Sequence, residues 1–441
     1  EGEALLAYGR SGSVADRLER LVNSVELDIT GIYNRKYMHL CMLLTYCSPL
    51  YLKYGNRTQR GWMETLIVGD SSNGKSQARS ALLESLRLGE VVDCKTASRA
   101  GLLGGNIKLD DSGKLFMKWG ALPRMDRMLL WLEELKGLDP EIIGKMTEAR
   151  SSGVLEIALA THRRAPCRTR LICLSNPRSN RRLATYPYGV SALLELIGAP
   201  EDLRRFDLCC VVPDSTQSRI PRENLTTVPD VAKLLRTLIL RAWTIDAEDI
   251  KYSFDVRDLE KRGDDLRKTY SAEIPVIDPG STSLKLLRVA ASAALLSGEI
   301  GEGEVLNITG EHLDWSDAFI REMYNSDDLG YATYSQAHRT QARFAKENIR
   351  VILDTICGVE FGQELLSFMR STEFLNMADI MDFGGCQEST ASDMIGELRR
   401  MKCLRVTRSG NHGTQSYTKT QAFQAMLNLS DSELESIRGG A

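Results

Sequence analysis

Eight consecutive residues, Gly69-Asp70-Ser71-Ser72-Asn73-Gly74-Lys75-Ser76, follow the pattern G-x-x-x-x-G-K-[ST]. The apolar run Leu66-Ile67-Val68 before them predicts a buried strand, and residues 76–88 after them predict a helix. This spacing binds phosphate in that context. Two glycines let the backbone curl so that successive N–H groups face phosphate oxygens, and the helix N-terminus adds positive potential. Lys75 would then reach the β- and γ-phosphates, and the Ser76 hydroxyl would ligate Mg²⁺.

Breaking a phosphoanhydride needs carboxylates at a second strand end. The apolar run 128–132 ends in Glu133-Glu134. Glu133 is assigned to the metal, through water, and Glu134 to polarising the attacking water. A third apolar run, 171–174, ends in Ser175-Asn176-Pro177. From there Asn176 could bond the γ-phosphate or the water. Leu203-Arg204-Arg205-Phe206-Asp207-Leu208 sets two guanidinium groups before a further apolar strand. An arginine delivered to a neighbouring subunit's nucleotide would stabilise transition-state charge. The alternative is a surface arginine paired with Asp202 or Asp207.

The elements that must position these residues alternate. Buried strands and helices follow one another from residue 66 to 175, which predicts a parallel α/β sheet. Residues 13–54 read as helical, residues 213–335 as mostly helical, and 333–346 as a polar linker helix. The last small domain reads as a winged helix, with helices near 377–382 and 388–402 and wing strands at 404–406 and 416–418. The divisions expected are 1–60 (helical lead-in), 61–212 (ATPase core), 213–361 (helical lid and linker), 362–428 (winged helix) and 429–441 (tail).

The 441 residues are 43% hydrophobic and 26% charged, with a formal net charge of −3. That excludes a disordered chain and a uniformly basic nucleic-acid coat. No apolar run reaches the ~20 residues of a membrane span, so no membrane partner is expected. The opening Glu1-Gly2-Glu3 has no leader pattern, and its lack of Met suggests a processed or shortened chain. The 10 cysteines are scattered without Cys-x-x-Cys, as reduced core thiols would be.

From about Leu21 to Asp207 the sequence resembles the minichromosome maintenance (MCM) replicative helicases, within the AAA+ ATPases. Residues 22–31 resemble the family's lead-in helix and "I-x-G" turn, and residues 69–77 its phosphate loop, through Gln77. Glu133-Glu134-Leu135 falls where the family has Asp-Glu-Phe. Ser175-Asn176-Pro177 resembles its sensor-1 segment and Arg205-Phe206-Asp207 its arginine-finger motif. The resemblance implies an AAA+ parallel sheet with a helical lid, and ATP held between subunits of a ring, most simply a homo-hexamer. One subunit would supply Lys75, Ser76, Glu133, Glu134 and Asn176, and the next Arg205. Arg288 is the nearest match to the sensor-2 arginine, although an ungapped match falls on Ser281. Leu159 stands near the position of the family's DNA-gripping Lys.

Between residues 163 and 182 there are seven Arg and no acid. They begin on a hairpin, 153–170, whose tip is expected at His162-Arg163-Arg164. A first insert, 106–118, carries Lys108, Lys114 and Lys118. Such hairpins can contact phosphates without reading bases, and the resemblance puts both in a central channel holding single-stranded or forked DNA. Alternatively the arginines pair across the subunit interface. Trp119 and Trp131 read as packing residues. The terminal domain is modestly basic, which fits DNA contact or protein docking. The competing readings are an origin-binding initiator or loader and a non-DNA remodeller. A cytoplasmic, nucleoid-associated setting and a mobile-element relative are further expectations.

Overall fold

The computed structural model describes residues 2–108, 115–158, 162–178, 181–214, 225–299, 305–407, 415–430 and 433–434. Its centre is a parallel sheet of β1 (Glu64–Gly69), β2 (Glu90–Asp93), β3 (Leu129–Glu133), β4 (Arg170–Ser175) and β5 (Leu208–Val212). The spatial order is β5-β1-β4-β3-β2. Strands β1, β4 and β5 are buried at every residue. That matches the apolar runs at their centres, because a parallel sheet is covered on both faces, while the polar ends of β1 and β4 (Glu64, Thr65, Arg170 and Ser175) are buried as well. The helix Lys36–Tyr46 packs on three of the strands. Thr282–Leu296 is buried at every residue but Leu284, including Lys285 and Arg288. Trp131 lies within β3, its indole N–H donating to the Tyr46 hydroxyl at 3.1 Å, so it packs rather than stacks on bases.

The lead-in departs from the helical reading of residues 13–54. Val14–Ser24 is a helix, capped by Ser13 and Asp16. A π-helical segment, Val25–Thr30, follows and ends at Gly31 with φ +63°. After Lys36–Tyr46 the chain forms an antiparallel hairpin, Tyr51–Tyr54 with Arg57–Arg60. Pro49 and Gly55 break the helical pattern there. The Glu26 carboxylate fixes the intervening turn by accepting the N–H groups of Asn34 and Arg35, both at 3.0 Å.

The chain forms two compact units, Glu1–Gln336 and Ala337–Ala441. The division falls inside the helix Tyr331–Cys357, whereas composition put the start of the last domain at 362. The second unit has helices Gly362–Ser371, Met377–Gly384, Glu388–Arg400 and Gln421–Leu427. Its three-stranded antiparallel sheet places Ser416–Lys419 between Phe374–Asn376 and Leu404–Thr407. Residues 408–414, with His412, lie outside the described residues.

All ten cysteines are free thiols, eight of them buried. Among the described residues there is no cluster of metal ligands, and no helix is long and apolar enough to cross a membrane.

His312 caps its own helix, Gly310–Asn325. Its Nδ1 accepts the Thr309 N–H at 3.1 Å, and its Nε2 lies 3.4 Å from Ser297 Oγ. Burial pushes this imidazole down to about 4, with Arg17 adding to the effect. The folded chain therefore keeps it neutral while the unfolded chain protonates it near pH ~6.5. Stability is unaffected above that pH and falls as pH drops from ~6.5 toward 4, by up to about 3 kcal/mol. Denaturant titrations across that window are expected to show this slope. His312→Asn, which keeps a capping acceptor, is expected to flatten it.

Candidate nucleotide site

Strands β1, β4 and β3 are neighbours and parallel, so their carboxyl ends lie at one edge of the sheet, where ligands of such sheets bind. That edge carries the phosphate loop after β1, Glu133-Glu134 at the end of β3 and Asn176 after β4. Together they line a cleft of about 430 Å³.

The loop is held from below. The buried Asp70 carboxylate accepts the N–H groups of Leu183 at 2.8 Å and Asp214 at 3.0 Å. Asn73 Nδ2 donates to the Val212 carbonyl at 2.8 Å. Ser72 and Gly74 have φ of +65° and +80°. A Cβ at Gly69 would stand 2.6 Å from the Val212 oxygen, and one at Gly74 would stand 2.7 Å from Ile32. Space dictates the glycine at 69, and space together with conformation the one at 74.

Helix α1 (Lys75–Leu86) begins at the loop. Lys75 is buried, and its Nζ donates to the carbonyls of Gly69 at 2.8 Å and Asp70 at 2.6 Å and to Asn176 Oδ1 at 3.2 Å. Burial pulls this ammonium down to about 8 against the attraction of Asp70 and Glu134. Ser71, Ser76 and Gln77 are exposed along the cleft, and Asn176 Nδ2 lies 3.4 Å from Ser71 Oγ.

Glu134 adopts φ +53°, a conformation that non-glycine residues rarely hold outside functional sites. One of its carboxylate oxygens is buried without a hydrogen bond among the described residues, with Lys95 Nζ 3.6 Å away. A glycine-lined backbone cradle, a buried ammonium and an orphaned carboxylate oxygen suit a nucleoside triphosphate with its divalent cation. Glu133 is ion-paired with Arg79 of α1, a residue that the spacing did not flag.

Arg205 lies at the opposite edge. It precedes β5, whose lead-in residue Asp207 donates its N–H to the Glu64 carbonyl at 2.8 Å, where β1 begins. The length of β1, about 17 Å, separates that edge from the loop. Arg205 bonds Ser151 and leaves its Nε buried and unpartnered. Burial, Arg150 and Arg204 all lower its proton affinity. The surface-pairing alternative is not what forms. Asp202 bonds Thr147, and Asp207 bonds Arg60 at 2.7 Å and Arg288 at 2.6 Å.

Arg288 lies on the Arg205 side of the sheet. Its guanidinium is buried on Asp207 and the Arg60 carbonyl, at the Arg205 edge, so within one chain it is not brought to the phosphate loop.

The basic hairpins are also revised. The second pairs Val154–Ala158 with His162–Pro166. His162, Arg163 and Arg164 therefore open the return strand, beyond a turn, 159–161, that lies outside the described residues along with Leu159. All three are exposed, and Glu156 opposite pairs with His162 and with Arg164 at 3.6 Å. Arg168 is held by Asp126, Arg170 by the Ser48 carbonyl, Arg178 by the Leu196 carbonyl and Arg181 by Glu195. The positive charge free for a ligand is thus narrower than the seven arginines suggested. The first hairpin pairs Gly104–Lys108 with Leu115–Trp119. Lys114 and the Lys108 side chain lie outside the described residues. The hairpin exposes a cross-strand pair, Ile107 and Phe116, beside Lys118, a surface that charge counting missed. The two hairpin roots are joined, since Arg168 binds Asp126 and Thr169 Oγ1 donates to the Leu122 carbonyl at 2.9 Å.

A second cavity, about 400 Å³, lies between the helices Val14–Ser24 and Gly310–Asn325. It is lined by Leu18, Val22, Trp315 and Phe319, and its Lys36 is ion-paired with Glu322 at 3.7 Å.

A phosphate loop on a five-stranded parallel sheet, with carboxylates at the neighbouring strand end, defines a P-loop motor of the AAA+ class. Residues 11–226 match the family model described as the MCM P-loop domain. This motor region is of the MCM type. The chain is 28% identical to the DNA replication licensing factor mcm6 of Dictyostelium discoideum over 200 residues, 44% of this chain and 22% of that protein. It is 27% identical to mcm6 of Schizosaccharomyces pombe over 178 residues, 40% of this chain and 19% of that protein. Against Mcm6 of Anopheles gambiae it is 25% identical over 197 residues, 44% and 24% of the two chains. The matched stretch spans about a fifth to a quarter of each relative.

Lys75→Ala is expected to weaken binding of a fluorescent nucleotide by about tenfold or more, because it removes a charge-assisted phosphate contact. Equilibrium titration measures this.

Proposed function

We propose that the chain is an ATP-driven DNA helicase motor that works as a ring, most simply a hexamer of identical subunits, in DNA replication. The observation that carries this reading is the separation of Arg205 from the phosphate loop by the length of β1. An unsaturated guanidinium on one edge and a triphosphate cleft on the other complete each other between subunits, not within one.

In this reading Lys75 exchanges its carbonyl partners for the β- and γ-phosphates. Ser76 and Glu133 would hold Mg²⁺, which supplies charge neutralisation to the phosphates. Glu134 orients and deprotonates the attacking water, and Asn176 holds it or the γ-phosphate. The neighbour's Arg205 stabilises the charge that develops on transfer. Loss of the γ-phosphate releases Arg205 and changes the interface, which moves the hairpins. His162, Arg163, Arg164 and Lys118 then grip DNA phosphates irrespective of sequence. Phe116 and Ile107 offer an apolar face to unstacked bases. The second unit's helices and three-stranded sheet support a winged helix, although Lys419 is spent on the Met369 and Thr372 carbonyls and Arg400 on Glu397.

Glu134→Gln is expected to lower turnover by about 10²–10⁴-fold while nucleotide still binds. Arg205→Ala and Lys75→Ala should each abolish ATPase activity alone. Mixed, they should recover part of it, because an Arg205→Ala subunit's intact loop can meet a Lys75→Ala subunit's intact arginine. Absence of recovery in mixed assemblies would refute the shared site. Displacement of a strand from a forked duplex separates a motor from a site-specific DNA binder that does not unwind.

A further inference from the structure

The carboxylate assigned to the metal already has a partner. Glu133 is held by the guanidinium of Arg79, and both side chains are more than four-fifths buried, at 16% and 17% exposure. Arg79 stands three residues after Ser76, so the two share a face of α1. That face carries the Ser76 hydroxyl, which with Glu133 of β3 would hold a cation, and the guanidinium that already pairs with Glu133. Arg79 also has a buried Nε with no hydrogen-bond partner among the described residues, so Glu133 does not saturate it. The other cations of the cleft are placed elsewhere. Lys75 is on the loop carbonyls and Asn176, and Lys95 and Lys136 approach Glu134. In Glu133 the carboxylate is carried one methylene further from the backbone than in an Asp, which extends its reach toward Arg79.

We propose that Arg79 is a built-in competitor for the metal, so that divalent cation and nucleotide enter this site together rather than separately. The inference rests on the reading of the cleft as a metal–nucleotide site. One carboxylate cannot serve a guanidinium and a divalent cation at full strength, so a cation arriving alone must compete with Arg79 for Glu133, and Glu134, the other acid of the cleft, already faces Lys95 and Lys136. A cation arriving with phosphates brings an anion of its own. The free protein therefore disfavours metal on Glu133, and bound nucleotide removes the obstacle. Arg79 acts through Glu133 and is a positioning residue.

The test uses the full chain, with Mn²⁺ as the probe read by electron paramagnetic resonance, without and with ADP. Arg79→Leu is expected to tighten Mn²⁺ binding in the absence of ADP by about tenfold, the scale of a lost hydrogen bond to a charged group. It should also shrink the enhancement of Mn²⁺ affinity by ADP. Arg79→Lys, which keeps the charge, should retain most of the block. If Arg79→Leu does not fold, Glu133→Asp withdraws the carboxylate from Arg79 and should give the same tightening. Unchanged or weaker Mn²⁺ binding in the variant that folds overturns the proposal. Failure of the underlying reading looks different: the unmodified chain would bind ADP no better than Lys75→Ala does.

Discussion

Six charged side chains at the amino ends of β1 and β5, all but Arg60 buried, decide where the motor's second edge lies. Glu64 and Asp207 are the two acids, surrounded by Arg60, Arg150, Arg288 and Lys285. Burial alone would raise the Asp207 carboxyl, but the guanidinium groups of Arg60 and Arg288 hold it below the usual carboxylate range. Burial lowers Lys285 to about 8, and its ammonium is spent on the Phe206 and Val276 carbonyls at 2.6 and 3.0 Å. Arg150 pairs with Glu64 at 2.6 Å and lies over the Phe206 ring at 4.4 Å. A buried ion cluster of this kind is weak evidence for net stability, because desolvation offsets most of its attraction. Its consequence here is positional. It ties the residues on either side of Phe206 to the start of β1, so the Arg205 backbone is fixed relative to the sheet.

The same cluster is electrically unbalanced, with four cations against two acids. The excess falls beside Arg205, whose Nε has no partner and whose proton affinity is already lowered. An edge in that condition attracts an anion from outside the chain. The parallel sheet supplies the complementary condition at its other end, where Glu133 and Glu134 surround a cradle of backbone N–H groups. Separation of the two by one strand length follows from strand polarity, since every carboxyl end must point the same way.

Much of the loaded edge was legible in the sequence because its determinants are local. The loop's spacing, the two glycines, Lys75 and the strand-end acids all lie within short windows, and the structure brings them to one cleft. The parallel sheet was legible for the same reason, from unbroken apolar runs between helices. What escaped depends on contacts between distant segments. The partner of Glu133 is set by how α1 rotates against β3, which no single window encodes. Arg288 matched a lid motif by order along the chain, yet Asp207 draws it to the far edge. The arginines of 163–182 looked like one field, but Asp126, Glu195 and two backbone carbonyls claim four of them. Residues 51–60 form a hairpin where a helix was expected, because Pro49 ends helical pairing before the apolar spacing stops.

These features together explain why the phosphate cleft is stable as it stands and still receptive. Lys75 is met by three oxygen acceptors from Gly69, Asp70 and Asn176, Arg79 by Glu133, and Glu134 by Lys95 and Lys136. A buried ammonium with three acceptors has its hydrogen-bonding capacity met within the chain even though burial disfavours its charge, so the loop does not need a ligand to keep its shape. The cost falls on any ligand, which must replace those partners with its own oxygens. A triphosphate can do so because it offers several anionic oxygens at once to Lys75, Arg79 and the backbone N–H groups of the loop. A ligand with one anionic group would displace the internal partners of one cation and leave the other closed. Selectivity for a polyphosphate is then a property of the internal pairing, and not only of the cradle that the sequence announces.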